Sequence, residues 1–272
     1  MIDTGVILEQ SIVAARQAGA VLREKLGSLT QIEKKELADF VTDADRTSEN
    51  LIVGIILKAF PEHTILAEES PERNRSGHQR WIIDPLDGTT NYIHSFPMFS
   101  VSIAYEEAGQ IRVGVVFDPL KNELFHAVRG EGAYLNDRRL KVSQPGSLED
   151  CLIATGFPFK QRGRIDPYLG AFKDIFVKVS DIRRAGSAAL DLAYLAAGRV
   201  DGFWEIGLQP WDVAAGSLLI HEAGGVMSDF SGRSSGIWEG DIVAGSRAVQ
   251  TELLQIVGRH LRPETTSSRG TT

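Results

Sequence analysis

Two aspartates that lie three residues apart, Asp84 and Asp87, follow an apolar segment and have the spacing of a metal site. Pro85 between them cannot donate to a strand ladder, so we expect the backbone to turn there. Both carboxylates then point into one space, with the carbonyl of Leu86 between them. Hard cations such as Mg²⁺ prefer oxygen ligands of this kind. Because Gly88 and the amides after it could face an anion, the run predicts metal-assisted phosphate chemistry.

The same run has a simpler interpretation, in which Asp87 and Gly88 form only a hairpin turn. Asp-Gly is a strong turn signal between strands. A turn accounts for the glycine, but it does not account for a second aspartate on the other side of a proline. It also gives no reason for Thr89, Thr90 and Asn91 to follow. The metal-site interpretation is therefore favoured.

Three further carboxylates stand where a site could use them, and each also has a structural explanation. Glu68 follows an apolar segment but belongs to a Glu-Glu pair, which often marks a solvated loop. Asp212 follows Pro210 at the start of a predicted helix, where an acid complements the helix dipole. Asp45 with Thr42 fits a helix cap, and taken alone the cap is the favoured interpretation.

The magnitude of charge repulsion decides how these acids are interpreted together. Two like charges about 4 Å apart repel by about 4 kcal/mol at an effective dielectric constant near 20. If Asp84 and Asp87 converge with Glu68 and Asp212, the cluster is costly without cations and repels a phosphate dianion. Bound Mg²⁺ would satisfy the carboxylates, acidify water and attract the phosphate.

The composition limits the class of protein. The chain has 272 residues, and its 43% hydrophobic content is ordinary for a globular protein. A net charge of −7 argues against a general nucleic-acid binder. The single Cys151 cannot form an intrachain disulfide, and we expect it to be buried rather than nucleophilic. We expect a cytoplasmic protein, because no signal-peptide pattern occurs and the longest apolar stretch, Leu51–Leu57, is too short to span a bilayer.

The hydrophobic period predicts the elements that position the first group of residues. Apolar side chains at helical spacing predict a helix over residues 4–26, and a second helix begins at residues 42–45 and stops near Pro61. Residues 34–36 between them are predicted as a polar loop, and residues 107–110 as a hairpin turn. Strands are predicted at Thr64–Ala67, Trp81–Asp84, Ser100–Tyr105, Ile111–Phe117 and Glu123–Val128.

Strand and helix signals alternate in the second half, which predicts an α/β layer. The strands are Leu152–Thr155, Val179–Arg183, Val200–Glu205 and Ile242–Ala244, and the helices are Pro167–Val177, Ser187–Ala197, Pro210–Ala223 and Ala248–His260. A polar stretch near residues 142–150 marks the expected boundary. We therefore expect an N-terminal α+β half over residues 1–145 that carries most metal ligands, a C-terminal α/β half over residues 146–262 and a disordered tail over residues 263–272.

Three motifs occur in order along the chain: Glu68–Ser70, Trp81–Tyr92 and Trp211–Gly225. Together they resemble the inositol monophosphatase family of Mg²⁺-dependent, Li⁺-sensitive phosphatases, and the resemblance covers nearly the whole chain. The segments Ala154–Phe159 and Arg183–Tyr194 are most similar to the bacterial extragenic-suppressor branch. The resemblance implies a layered α-β-α-β-α sandwich, α/β (α+β) in class, and a homodimer.

The resemblance also implies roles for single residues. It implies two or three Mg²⁺ ions per subunit and an activated water that attacks phosphorus in line, without a phosphoenzyme. Glu68, and Thr89 paired with Asp45, would activate that water. The implied metal ligands are Glu68, Asp84, the Leu86 carbonyl and Thr89 for one ion, Asp84, Asp87 and Asp212 for a second, and Glu68 for a weaker third. The implied substrate contacts are the Gly88 and Thr89 amides, the Ala188 amide, Glu205 and Asp212.

The activity implied by the resemblance is hydrolysis of myo-inositol monophosphate. Relatives also handle fructose 1,6-bisphosphate, histidinol phosphate and 3′-phosphoadenosine 5′-phosphate, so these esters remain alternatives. Lys34 or Lys35 would be the family's loop lysine, which influences the third metal site. Binding of the transcription machinery or RNA through Arg183 and Arg184 is a further alternative, although ion pairs at a subunit interface are the favoured explanation of these arginines.

Overall fold

A computed structural model describes residues 3–28, 30–36, 39–72, 78–233 and 240–261. The predicted tail over residues 263–272 lies outside the described residues. The helices are α1 (Thr4–Lys25), α2 (Asp43–Ala59), α3 (Thr89–Ile93), α4 (Ile165–Phe176), α5 (Ala188–Ala196), α6 (Pro210–Glu222) and α7 (Arg247–Leu261). The first strands are β1 (Ile32–Glu36), β2 (Asp39–Thr42), β3 (Thr64–Ala67), β4 (Gln79–Asp87), β5 (Ser100–Glu107), β6 (Gln110–Asp118) and β7 (Glu123–Val128). The remaining strands are β8 (Gly132–Leu135), β9 (Arg138–Arg139), β10 (Leu152–Thr155), β11 (Asp181–Arg183), β12 (Gly202–Glu205), β13 (Val226–Ser228) and β14 (Ile242–Gly245).

A seven-stranded sheet carries the first half of the chain, in the order β3-β4-β5-β6-β7-β8-β9. Its neighbours pair antiparallel, except that β3 runs parallel to β4. The predicted hairpin turn joins β5 to β6. Ala108 and Gly109 both have positive φ there (51° and 76°), as a two-residue turn between twisted strands requires. The prediction of a mostly antiparallel sheet is confirmed.

A five-stranded sheet carries the second half, in the order β11-β10-β12-β14-β13. Strand β10 pairs parallel with β11 and β12, and β14 pairs antiparallel with β12 and β13. The parallel pairs require crossover helices, which α4 and α5 supply. The predicted α/β layer is therefore present.

The helices form three layers around the two sheets. One core lies between α1, α2 and the seven-stranded sheet, and a second surrounds α5 and α6 between the two sheets. A third core lies between the five-stranded sheet and the pair α4 and α7. Helix α6 approaches β6 closely, because a Cβ on Gly114 would lie only 2.9 Å from the Ala215 carbonyl oxygen. The order of layers is α-β-α-β-α, which confirms the implied sandwich.

The main errors of the sequence prediction concern short or charged segments. The predicted polar loop at residues 34–36 is part of β1, which pairs with β2. Its Lys- and Glu-rich composition lacks the β-branched and aromatic residues that mark strands. Lys34 is exposed on β1, and the side chain of Lys35 lies outside the described residues. Strands β8, β9 and β13 and the short helix α3 were also not predicted.

The structure bears on two sequence predictions, that Cys151 is not a nucleophile and that the chain has no membrane-spanning segment. Cys151 is fully buried just before β10, and burial raises the pKa of its thiol to about 12. A thiol with such a pKa is a poor nucleophile. Within the described residues, no helix combines the length and hydropathy needed to cross a membrane.

Candidate active site

Three aspartates from two elements converge at the C-terminal end of β4 and the first turn of α6. One carboxylate oxygen each of Asp84, Asp87 and Asp212 lies within 4.8 Å of the others. Asp84 and Asp87 are 1% and 7% exposed, and Asp212 is half-buried. All three line a cavity of about 310 Å³. The fold therefore brings these three carboxylates close together, although like charges at such distances repel one another.

A β-bulge at Pro85 lets Asp84 and Asp87 face the same side. Residues three apart on a regular strand point to opposite faces. Here Asp84 pairs with Ser102 and Asp87 with Ser100, so β4 has one more residue than β5 between the two pairs. The expected turn at Pro85 was wrong, because the strand continues to Asp87. The bulge nevertheless makes both carboxylates point into one space, as the turn was expected to do.

Gly88 ends β4 and leads directly into α3. Its φ of 95° lies in the left-handed region, and a Cβ there would lie 2.9 Å from the Met98 carbonyl oxygen. Only glycine fits such a position without strain. Because helix α3 and not an antiparallel strand follows Gly88, the chain does not form a hairpin at Asp87 and Gly88, and the simpler interpretation of the run was wrong.

Thr89 joins the end of β4 to the beginning of α2. Its Oγ1 lies 3.1 Å from Oδ1 of Asp45 and 3.1 Å from the Leu86 carbonyl oxygen, and its single proton serves one acceptor at a time. The other oxygen of Asp45 accepts the Thr42 N–H at 2.8 Å, within the capping box of α2. Asp45 is thus both a helix cap and a site contact. Burial raises the pKa of its carboxyl above the usual value.

Asp87 connects β4 to the start of α5. Its Oδ2 accepts the Ala189 N–H at 2.9 Å and also the Ser187 hydroxyl. These donors come from residues 102 and 100 positions later in the chain. Burial raises the pKa of Asp87, while these hydrogen bonds favour its charged form.

Asp212 lies in the first turn of α6 and also has two roles. Its Oδ2 accepts the Gln209 N–H at 2.7 Å, which caps the helix. The helix is placed against β5 by the Ser102 hydroxyl, which donates to the Trp211 carbonyl at 3.2 Å. Burial, and then the charge of Asp87, raise the pKa of Asp212 to about 7. The structural explanation and the site explanation of Asp212 are therefore both correct.

Glu68 enters the site from the end of β3. Its N–H donates to the Ile83 carbonyl at 3.2 Å, which holds its backbone beside β4. The side chain lines the same cavity as the three aspartates. After burial, the charge of Glu68 is the largest cause of the raised pKa of Asp84. Glu68 is thus brought to Asp84, Asp87 and Asp212, as the sequence suggested, and these four carboxylates form the acidic centre of the cavity.

Comparison with known proteins decides the family. The sequence matches the inositol monophosphatase family over residues 4–262. The chain belongs to this family. Nus factor SuhB of Salmonella typhimurium is 48% identical over 251 residues, 91% of this chain and 94% of that protein. The crystal structure of extragenic suppressor protein suhB from Bartonella henselae superposes with a TM-score of 0.90 at 44% identity, covering 93% of this chain and 98% of the other. The structure of inositol monophosphatase from Anabaena superposes with a TM-score of 0.85 at 39% identity, covering 95% of this chain and 98% of the other.

The acidic centre fits the Mg²⁺ that the inositol monophosphatase family generally uses. Burial and mutual repulsion raise the pKa of Asp84, and burial raises that of Asp87. A cation that binds between them removes the repulsion, which is about 4 kcal/mol for each pair at about 4 Å. Carboxylate and carbonyl oxygens are the ligands that Mg²⁺ prefers.

The substrate contacts that the family resemblance implies also line the cavity. Glu205 ends β12 and Ala188 begins α5. Burial raises the pKa of Glu205 well above its usual value, and the charge of Asp191 raises it further. A Cβ on Gly156 would overlap the Glu205 carboxylate, so this glycine leaves the space that the carboxylate occupies.

The two arginines singled out in the sequence occupy different places. Arg183 is exposed on β11 and forms an ion pair with Asp181 of the same strand. Arg184 lines the cavity, and its guanidinium lies 5.0 Å from the ring centroid of Phe159 and 6.0 Å from that of Phe157. Arg184 is therefore a residue of the cavity wall.

Several residues that support the site were not predicted from the sequence. The Ser48 hydroxyl donates to the Pro85 carbonyl at 2.8 Å, Glu49 contacts the segment after β3, and Ser187 contacts Asp87. The available signal was helical spacing, because residues three and four positions after Asp45 share its face of the helix. Ser187 carried no comparable signal.

Proposed function

We propose that the protein hydrolyses myo-inositol monophosphate to myo-inositol and phosphate in a Mg²⁺-dependent reaction. The observation that carries this proposal is the convergence of Asp84, Asp87 and Asp212 beside the pair of Thr89 and Asp45. The convergence borders a cavity large enough for a small ester. Membership of a phosphatase family supports the same chemistry.

The acidic centre would hold two or three Mg²⁺ ions. Bound Mg²⁺ supplies positive charge that acidifies water, attracts the phosphate and stabilises the departing oxygen. The bulge at Pro85 holds the acidic ligands of β4 on one side of the strand. The residues proposed to hold the ions are Glu68, Asp84, the Leu86 carbonyl, Thr89, Asp87 and Asp212.

The pair of Thr89 and Asp45 would assist proton transfer from the attacking water. The Thr89 hydroxyl donates to Asp45 and can accept from water, which draws the water proton towards the carboxylate. Glu68 is a second acceptor at the same cavity. As the water oxygen bonds to phosphorus, the P–O bond to the polyol breaks, and the polyol oxygen takes up a proton from solvent water while the carboxylate later returns its proton to solvent. The Gly88 and Thr89 amides would hold the phosphate.

Polyol recognition is assigned to Glu205, the Ala188 amide and Asp212. A carboxylate accepts hydrogen bonds from hydroxyl groups, and an amide N–H donates to them. Glu205 and Ala188 come from two elements, β12 and α5, that face one cavity with the acidic centre. This arrangement supports an ester whose phosphate lies at the metal site and whose hydroxyls reach the cavity wall.

A specific observation favours a second group of substrates. Lys160, Arg184 and the exposed ring of Phe159 line the same cavity. Two cationic side chains favour an ester with a second phosphate, such as fructose 1,6-bisphosphate. The ring adds a surface on which the adenine of 3′-phosphoadenosine 5′-phosphate could stack. The same cations disfavour the positively charged amine of histidinol phosphate.

Kinetics on a panel of esters test both proposals. The assay compares kcat/KM for the four esters with Mg²⁺, with EDTA and with added Li⁺. We expect the highest kcat/KM for myo-inositol monophosphate, no turnover in EDTA and inhibition by Li⁺. If a bisphosphate is hydrolysed faster, and Lys160→Ala and Arg184→Ala lower only that rate, the second group is correct. Turnover of every ester in EDTA would exclude Mg²⁺-dependent chemistry.

A non-catalytic role with the transcription machinery is supported by the similarity to a Nus factor. Because Arg184 lines the cavity, Arg183 is the arginine that separates binding from catalysis. We expect Arg183→Ala to keep phosphatase activity and to weaken binding to purified bacterial RNA polymerase. Equal binding by the variant and the unsubstituted protein would remove Arg183 from this role. Light scattering of the same samples tests the proposed homodimer.

A further inference from the structure

Glu49 lies on α2 and is almost completely buried, with 3% of the residue exposed. Both of its carboxylate oxygens accept hydrogen bonds from the segment that follows β3. Oε2 accepts the Glu69 N–H at 2.8 Å, and Oε1 accepts the Ser70 hydroxyl. The residue immediately before this segment is Glu68, which is proposed to bind Mg²⁺.

One face of α2 contacts three separate segments of the site. Asp45, Ser48 and Glu49 have the i, i+3 and i+4 spacing that places side chains on one helix face. Asp45 contacts Thr89, and the Ser48 hydroxyl donates to the Pro85 carbonyl at 2.8 Å. Glu49 supplies the third contact. A single turn of helix therefore fixes the ends of β3 and β4 and the start of α3 relative to one another.

The backbone around Glu68 is held from two directions. Its own N–H donates to the Ile83 carbonyl at 3.2 Å, and the next N–H, that of Glu69, donates to Glu49. These bonds determine where the backbone leaves β3 and hence where the Glu68 side chain begins. Without Glu49 the first bond remains, but the segment after it loses the two hydrogen bonds that Glu49 accepts.

We propose that Glu49 is a positioning residue for Mg²⁺ binding by Glu68, an inference that rests on the proposed function. Glu49 acts as a hydrogen-bond partner and not through its charge. Removing groups that orient metal ligands typically lowers metal affinity by about 10–100-fold. We expect a loss of this size in the Mg²⁺ affinity of a variant without the Glu49 side chain.

Two substitutions at Glu49 separate hydrogen bonding from charge. Glu49→Ala removes both contacts. Glu49→Gln removes the charge, but its amide oxygen can accept the Glu69 N–H while its NH₂ group donates to the Ser70 hydroxyl oxygen. Ser70→Ala removes one contact and remains available if Glu49→Ala fails to fold. Asn50→Ala is the matched control, because Asn50 is exposed on the same helix.

Isothermal titration with Mg²⁺ gives the Kd of each variant, and thermal unfolding in EDTA gives its Tm. We expect an unchanged Kd for Glu49→Gln and Asn50→Ala, a Kd raised about 10–100-fold for Glu49→Ala, and an intermediate Kd for Ser70→Ala. A lower Tm with the original Kd in Glu49→Ala and Ser70→Ala would mean a purely structural role and would overturn the inference. An equal loss of Mg²⁺ affinity in Glu49→Gln and Glu49→Ala would also overturn the inference, because it would mean that Glu49 acts through its charge.

The unsubstituted protein distinguishes failure of this inference from failure of the proposed function. If it binds no Mg²⁺ in the titration, the proposed function fails and the role of Glu49 fails with it. If it binds Mg²⁺ and hydrolyses the ester while Glu49→Ala binds as tightly, only the role of Glu49 is excluded.

Discussion

The hydroxyl of Thr89 lies 3.1 Å from Oδ1 of Asp45, although the two residues are 44 positions apart and belong to different helices. Asp45 is held in place by the capping box of α2, which also uses its second oxygen. The contact therefore has a fixed partner on one side and a residue of the cavity on the other. That arrangement suits a proton acceptor that must not move during the reaction.

Thr89→Ala should lower kcat by roughly 10²-fold, the lower end of what a positioned proton acceptor contributes. The substitution removes the hydroxyl through which Asp45 reaches the cavity, while the three aspartates stay in place. Thr89→Ser keeps the hydroxyl and should recover most of the activity. Steady-state kinetics at saturating Mg²⁺ measure both. Full activity in Thr89→Ala would show that the contact has no part in catalysis.

Asp87→Asn should lose most Mg²⁺-dependent turnover but leave the protein folded. The asparagine oxygen can still accept the Ala189 N–H, whereas the charge that attracts Mg²⁺ is lost. We expect activity to fall roughly 10²–10³-fold, the scale on which one preorganised electrostatic contact acts. In EDTA the variant should be the more stable protein, by about 2–4 °C in Tm for each kcal/mol of repulsion removed.

Kinetics and calorimetry on the same preparation check this prediction. Near-normal activity of Asp87→Asn would refute the metal assignment. A lower Tm in EDTA would contradict the view that the three aspartates repel one another in the metal-free protein.

The metal-free protein should lose stability as pH rises from about 4 to about 7. The pKa of Asp212 is raised from 3.8 to about 7, so over this range the folded state binds more protons than the unfolded state. The contribution of Asp212 to the free energy of unfolding therefore falls with rising pH and levels off above 7. The asparagine variant Asp212→Asn cannot titrate and should show a smaller fall.

Urea unfolding in EDTA at several pH values measures the difference between the two proteins. For the same reason, the Mg²⁺ affinity of the unsubstituted protein should increase between pH 6 and pH 8, because protons then compete less for the carboxylates. Identical slopes for the protein and Asp212→Asn would rule out a raised pKa at this position.

His63 should have a pH effect of the opposite sign. Burial lowers its pKa below 6.5, more strongly than Glu107 raises it, and its Nδ1 accepts the Trp81 indole N–H at 2.9 Å. The unfolded state therefore takes up a proton more readily. The stabilising contribution is complete above pH 6.5 and is lost as pH falls through the lowered pKa.

His63→Gln provides the comparison, because its amide oxygen can accept the indole N–H but does not titrate. We expect the unfolding free energy of the unsubstituted protein, measured by urea unfolding, to decrease relative to that of His63→Gln as pH falls from 7 to 5. A steeper loss in the variant would contradict the assigned direction.

Local sequence patterns predicted the layers because each pattern depends on neighbouring residues. The segment Ser100–Tyr105 was correctly predicted within β5, since its buried residues are apolar except for two serines. Ala15, Ala18 and Leu22 of α1 are buried at the expected helical spacing. The residues that pack against the next layer recur with the period of the helix or strand, and the apolar residues of the sequence show the same period.

The bulge at Pro85 could not be predicted in the same way. It is defined by how Asp84 and Asp87 pair with β5, and that register depends on residues far along the chain. The predicted turn and the observed bulge both bring the carboxylates to one side. The local sequence thus predicted that both carboxylates face one side, but the bulge itself is defined only by the pairing of β4 with β5.

Asp45 and Asp212 each combine a structural role with a role at the site. Each caps its helix through a carboxylate oxygen, and each also lies at the site. A cap orders the first turn of a helix, which is where a rigid ligand is best placed. The structural role and the site role are therefore complementary.

The bonds from Asp87 to Ser187 and Ala189 span 100 and 102 residues, and Asp212 lies still further along the chain. During translation, a nascent chain can complete its acidic centre only after Asp212 has left the ribosome. Asp87 lacks its hydrogen-bond donors until Ser187 and Ala189 have emerged, and the third aspartate of the centre follows 23 residues after Ala189. Messages truncated before this point would yield a product that carries the first ligands but has no complete centre.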